Sequence, residues 1–126
     1  MTRDQRRAIH AYDRIAEVRR HGLFDEYRII ANAFGPNVLR DGLSMALAFV
    51  ERDAAGAGNR QQAAGQFLRD LSSCGLPGVG LNANLPQIVR ALPTPTEYML
   101  VTREVLSVVL WLKRALQAAG DGAAGA

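Results

Sequence analysis

The segment Thr94-Pro95-Thr96-Glu97, followed by an apolar stripe at helical spacing, constrains this chain more than any other feature. The threonine can cap a helix, the proline needs no amide donor in the first turn, and the glutamate three residues on can reach back to the cap. Behind it Tyr98, Thr102, Val105, Val109, Leu112 and Leu116 recur every three to four residues, the period of one buried helix face. A long helix in a 126-residue chain can bury that face only against other elements, and nothing else in the sequence alternates with the two-residue period of a strand. The expected fold is all-α: a compact bundle of five to seven helices with no β-sheet. One domain is expected over residues 1–119, with a flexible C-terminal tail over 120–126.

The remaining helices follow from the same signals. A first helix is expected from Thr2 to His21, opened by a Thr2/Gln5 capping box and ended by Gly22 in a left-handed conformation. Ile9, Tyr12, Ala16 and Leu23 mark its buried side, with Ile15 at the border. A second starts near Phe24-Asp25 and turns Tyr27, Ile30, Ala31 and Phe34 inward. Gly35-Pro36 is expected to break or kink it, Val38 and Leu39 continue the apolar pattern, and Gly42 ends it. The third, Leu43 to Arg52, repeats Leu43, Ala46, Leu47 and Val50, with Met45, Ala48 and Phe49 widening the stripe. After a connector at Ala54–Gly58, a fourth helix is expected from an Asn59 N-cap to about Ser73, burying Ala63, Ala64, Phe67, Leu68 and Leu71. Gly75 to Gly80 reads as a loop and Pro86 to Leu92 as a short helix. Leu47, Phe49, Val105, Val109 and Leu112, with Tyr12 and Ile30, are the expected core.

Little in the chain points to chemistry. Cys74 is the single cysteine, so no intramolecular disulfide forms. No apolar stretch approaches the ~20 residues that span a bilayer, and the N-terminus shows no signal peptide, so a cytoplasmic protein without membrane contact is expected. Asp13, Glu17 and His21 share a helix face, but a metal site needs three or four converging ligands, and a solvated charged face accounts for them. Gly75-Leu76-Pro77-Gly78-Val79-Gly80 lacks the Gly-Lys-Ser/Thr ending of a phosphate loop, and Ser44, Ser72 and Ser73 have no partner base. The chain is expected to be no enzyme: no catalytic residue, no metal, no cofactor and no small-molecule substrate.

The charge distribution is more informative. The net charge is +3, and residues 1–21 carry six arginines against Asp4, Asp13 and Glu17, which accounts for all of it. Arg3, Arg7 and Arg14 lie at i, i+4 and i+11 of the first helix, with Arg6 and Arg20 at the flank. Arginine's planar fork of donors suits phosphate. Such a row can neutralise a nucleic-acid backbone without reading its sequence. Lys113 and Arg114 form a second basic pair, near the end of the last helix, where the dipole favours cations.

These elements, in this order, resemble the small helical subunit of the type III-B CRISPR RNA-silencing effector, the Cmr complex. The likeness covers residues 1–117. It rests on the basic first helix, Tyr27-Arg28 and Pro36 in the second, and Gly42-Leu43-Ser44-Met45-Ala46-Leu47-Ala48-Phe49. The closing helix adds Thr102-Arg103-Glu104 and Leu112-Lys113-Arg114. Only the Ala83–Thr94 connection departs from the pattern, in its Asn and Pro content. The resemblance implies a subunit without enzymatic activity. Its copies stack head-to-tail against the other Cmr subunits and line the groove where CRISPR RNA pairs with target RNA, base pairing supplying sequence specificity. On that reading Arg3, Arg7, Arg14, Arg20, Lys113 and Arg114 are the expected RNA-binding residues. Two alternatives stay open: the small subunit of the related type III-A effector, and a helical protein-interaction adaptor with no RNA role.

Overall fold

The structure, a computed structural model, describes residues 1–76, 79, 80 and 83–125, and side chains up to residue 120. Six α-helices form it, with no strand among the described residues: α1 (Arg3–Arg20), α2 (Phe24–Asp41), α3 (Leu43–Ala54), α4 (Gly58–Ser72), α5 (Leu85–Arg90) and α6 (Pro95–Gly125). The helix starts at Thr2 and Thr94 fall where the capping residues place them. Gln5 N–H donates to Thr2 Oγ1 at 3.1 Å and Thr2 N–H to Gln5 Oε1 at 2.7 Å, a complete capping box. Glu97 N–H donates to Thr94 Oγ1 at 3.2 Å. At the end of α1, Gly22 has φ +72°, and the amides of Gly22 and Leu23 return to the carbonyls of Arg19 and Val18, a Schellman closure.

Three expected boundaries move. α2 runs unbroken through Pro36, whose ring lies on the exposed side while Val38 beyond it stays buried. α4 begins at Gly58 with Ala57 as its N-cap and no side-chain cap, so Asn59 sits inside the first turn. Arg60 fixes that start instead, its Nε 2.6 Å from Glu26. α6 runs on to Gly125, past the expected end near residue 119, although Gly120, Gly122 and Gly125 are poor helix formers. Pro77, Gly78, Leu81 and Asn82 of the expected 75–80 loop and its continuation lie outside the described residues.

α1 and α6 run parallel. Arg3 meets Glu104, Arg7 meets Ser107, and Arg19 Nη1 donates to the Ala119 carbonyl at 2.7 Å, a constant offset of 101, 100 and 100 residues. α2, α3 and α4 pack on one another and close the bundle against α6. Tyr27, Phe34 and Phe67 make edge-to-face contacts at its centre, with ring centroids 5.6 and 5.2 Å apart. Leu43, Leu47, Leu71, Val105, Leu112 and Leu116 fill the space around them.

The phase of α1 is the main correction to the expected core. Ala11, Ile15 and Val18 are buried, together with Arg7, whereas Ile9 and Tyr12 are each 51% exposed and Ala16 is exposed. Ile9, Tyr12 and Ala16 therefore face out, while Leu23, expected on their side, is buried. The inward stripe carries an arginine because its ion-pair partner lies on α6. Leu39 is likewise exposed, and Phe49 is half-buried under Arg52, whose guanidinium sits 5.6 Å from the ring centroid. Leu68 is half-buried too.

Gly42 joins α2 to α3 at φ +89°, which favours glycine, and a Cβ there would meet the Tyr98 hydroxyl at 3.4 Å. α3 has no side-chain cap of its own. The Tyr98 hydroxyl, from the first turn of α6, accepts from the Ser44 amide at 2.9 Å and satisfies one of the helix's orphan donors.

Candidate nucleic-acid interface

Of the six residues expected to meet RNA, the structure commits two to internal ion pairs. Arg7 is 4% exposed; it donates to Ser107 Oγ at 3.0 Å and to Glu104. Arg14 Nε donates to Asp70 Oδ1 at 2.8 Å. Asp70, in α4, is 1% exposed and also receives the Tyr27 hydroxyl at 2.7 Å and the Gln66 amide at 2.7 Å, so α1, α2 and α4 meet at one carboxylate. Burial pushes the Asp70 carboxyl above its usual range, against the pull of Tyr27, Gln66 and Arg14. Burial, then the Asp70 charge, holds the Tyr27 phenol well above its usual range. His10 Nε2 lies 2.9 Å from the Asp70 carbonyl oxygen.

The rest of α1 is close to electrically balanced. Arg3 is exposed but shares Glu104 at 3.2 Å, and Arg20 pairs with Glu17 at 2.8 Å. His21 Nε2 is 3.3 Å from Glu17. With Arg7 and Arg14 spent inside, Arg3, Arg6, Arg19 and Arg20 remain on this surface beside Asp4, Asp13 and Glu17. Net charge over residues 1–21 therefore overstates what α1 offers a polyanion.

A further group of cations without ion pairs lies on α6. Met99, Arg103, Leu106, Leu110 and Arg114 succeed one another at i, i+4, i+7, i+11 and i+15 along its outer side, with Lys113 beside them. Arg103, Lys113 and Arg114 form no ion pair among the described residues. Between residues 98 and 120 the one acidic side chain is Glu104, which turns toward α1. Arg103 and Arg114 stand about 16 Å apart along the axis. Since α6 extends to Gly125, Lys113 and Arg114 are remote from its last turn, and the dipole is not what places cations there.

The sequence reading missed Arg103 on this surface, and it missed an aromatic within it. The Arg114 guanidinium sits over the Trp111 indole, 4.8 Å from the ring centroid. The i, i+3 spacing of tryptophan and arginine was the signal that could have found it. Cys74, just after α4, is half-buried; its Sγ donates to the Leu71 carbonyl at 3.2 Å, and burial raises the thiol to about 11. No helix among the described residues is long and apolar enough to cross a membrane. Among the described residues no three His, Cys, Asp or Glu side chains could hold a metal ion.

Residues 3–119 match the family model described as CRISPR-associated protein (Cas_Cmr5). Among solved structures, the X-ray crystal structure of a CRISPR-associated Cmr5 family protein from Thermus thermophilus superposes with a TM-score of 0.77. The two chains are 32% identical, over 94% of this chain and 97% of that one. Comparison with the curated proteins returns no match.

Proposed function

This chain belongs to the Cmr5 family of CRISPR-associated proteins, and on that premise we propose that it is a non-catalytic small subunit of a type III-B ribonucleoprotein effector acting in the cytoplasm in antiviral defence. Its partners are the other Cmr subunits, further copies of itself, CRISPR RNA and target RNA. It stacks along the assembly and turns a basic surface to the groove where guide and target pair. The observation that carries the RNA reading is the outer side of α6, where Arg103, Lys113 and Arg114 form no ion pair among the described residues. Phosphate contacts of this kind give affinity that is independent of sequence and falls with salt. Arg3, Arg6 and Arg20 at the surface of α1 contribute a weaker field, tempered by Asp4, Asp13 and Glu17. Arg7 and Arg14 serve the fold. The exposed Ile9, Tyr12, Ile29 and Leu39 support contact with neighbouring subunits.

The test is charge reversal in the assembled effector. Complexes carrying R103E and R114E should bind target RNA more weakly for every sequence, and the salt dependence should flatten by about one unit of slope per lost contact. Complexes lacking this subunit should bind more weakly or cut fewer sites while other subunits still perform the chemistry. Unchanged affinity and slope would reject the α6 surface, and RNA cleavage by the purified chain would reject the non-catalytic reading.

A further inference from the structure

Four cation–aromatic contacts occur among the described residues, and in two of them the guanidinium is tied to an oxygen acceptor. Arg19 and Arg28 both lie over Phe24, but Arg19 is tied to the Ala119 carbonyl and Arg28 to Asp25. Arg52 covers Phe49 at 5.6 Å without an ion pair among the described residues. Arg114 lies closer to its ring, 4.8 Å from the centroid of the larger Trp111 indole, and beside other cations of α6. Arg114 is exposed and has no hydrogen-bond or ion-pair acceptor among the described residues. Leu110, four residues earlier on the same side, is 48% exposed.

We propose that the Trp111–Arg114 pair is a base-stacking platform, whose ligand is an unpaired RNA nucleobase resting on the outer face of the Arg114 guanidinium with its edge toward Leu110. This rests on the RNA reading above and deepens it. A guanidinium seated on an indole is restrained from swinging out to a phosphate, and its remaining face is flat, cationic and weakly hydrated. Such a face stacks on a base as an aromatic ring does. Arg103 and Lys113 remain extended for backbone phosphates on either side. Stacking of this kind tolerates any base, since each has a π-face, so the platform recognises the presence of an unpaired base and not its identity. Lysine cannot replace the arginine, because an ammonium keeps the charge and loses the plane.

The experiment uses the full chain with two fluorescently labelled strands of equal length, a twelve-nucleotide oligoadenylate and an abasic ribose-phosphate strand. Trp111, the only tryptophan, is an internal reporter. The wild type should bind oligoadenylate at least about fivefold more tightly than the abasic strand. Its indole emission should change with the first and not the second. R114K should lose the preference while keeping its affinity for the abasic strand, with circular dichroism verifying the fold. Equal affinity of the wild type for both strands, or a preference retained by R114K, overturns the platform. If R103E and R114E weaken both strands while no base preference exists, the RNA surface stands and the platform falls. If neither strand binds, the platform is overturned, and if the charge reversals also change nothing in the assembled effector, the RNA surface falls with it.

Discussion

The Tyr27 hydroxyl donates to Asp70 Oδ2 at 2.7 Å in a core where both side chains are sealed from water. Arg14 and Gln66 complete the carboxylate's partners from α1 and from its own helix. No buried side-chain polar atom among the described residues lacks a partner. A network satisfied in this way fixes the helices relative to one another, because any shift leaves a buried donor or charge unpaired. Tyr27→Phe should cost about 2 kcal/mol, the range for a hydrogen bond to a charged group. Asp70→Ala, which strands three donors, should cost about 3–5 kcal/mol. Urea unfolding midpoints at neutral pH measure both, and a Tyr27→Phe variant as stable as wild type would show the hydroxyl to be idle.

Replacing Arg7 by alanine should destabilise the protein by about 3 kcal/mol, since it leaves Glu104 without its buried partner. Its effect on RNA binding should be small in any variant that still folds. A loss of RNA affinity with unchanged unfolding would return Arg7 to the RNA contacts.

Tyr12→Ala should change stability by less than about 0.5 kcal/mol, as expected for a surface position. Leu47→Ala, in the sealed centre of α3, should cost about 2–5 kcal/mol. Parallel denaturation of the two variants tests the phase of α1, and a large cost at Tyr12 would put the expected stripe back in the core.

Alkali should weaken the fold in a defined window. The Cys74 thiol is raised from 9.0 to about 11 and the Tyr27 phenol well above 10.0, in each case with burial as the first cause. Between the unfolded and folded values the native state binds more protons than the unfolded state, so stability falls as pH rises from about 9 upward. Unfolding midpoints at pH 8 and pH 10.5 should differ more for wild type than for Cys74→Ala or Tyr27→Phe. The Cys74 thiol should also alkylate slowly at pH 8, with a rate that climbs toward pH 11.

Local grammar determined a good deal of this protein. The all-helical class, the capped starts at Thr2 and Thr94, the Gly22 closure and the buried faces of α3 and α6 are all written in residues three or four apart. Such signals need no knowledge of the partner. Tertiary structure alone decided that an arginine joins the inward side of α1. Ala11, Ile15 and Val18, at i, i+4 and i+7, are themselves an apolar stripe, and Arg7 is buried beside them because Glu104 and Ser107 receive it on α6. The same holds for Arg14, whose partner Asp70 lies 56 residues away. Periodicity sums apolar side chains along one helix, while a buried ion pair is a property of two. Local charge counting therefore groups the α1 arginines as one surface row, whereas the assembled bundle pairs Arg7 and Arg14 internally and leaves Arg103, Lys113 and Arg114 of α6 without ion pairs among the described residues.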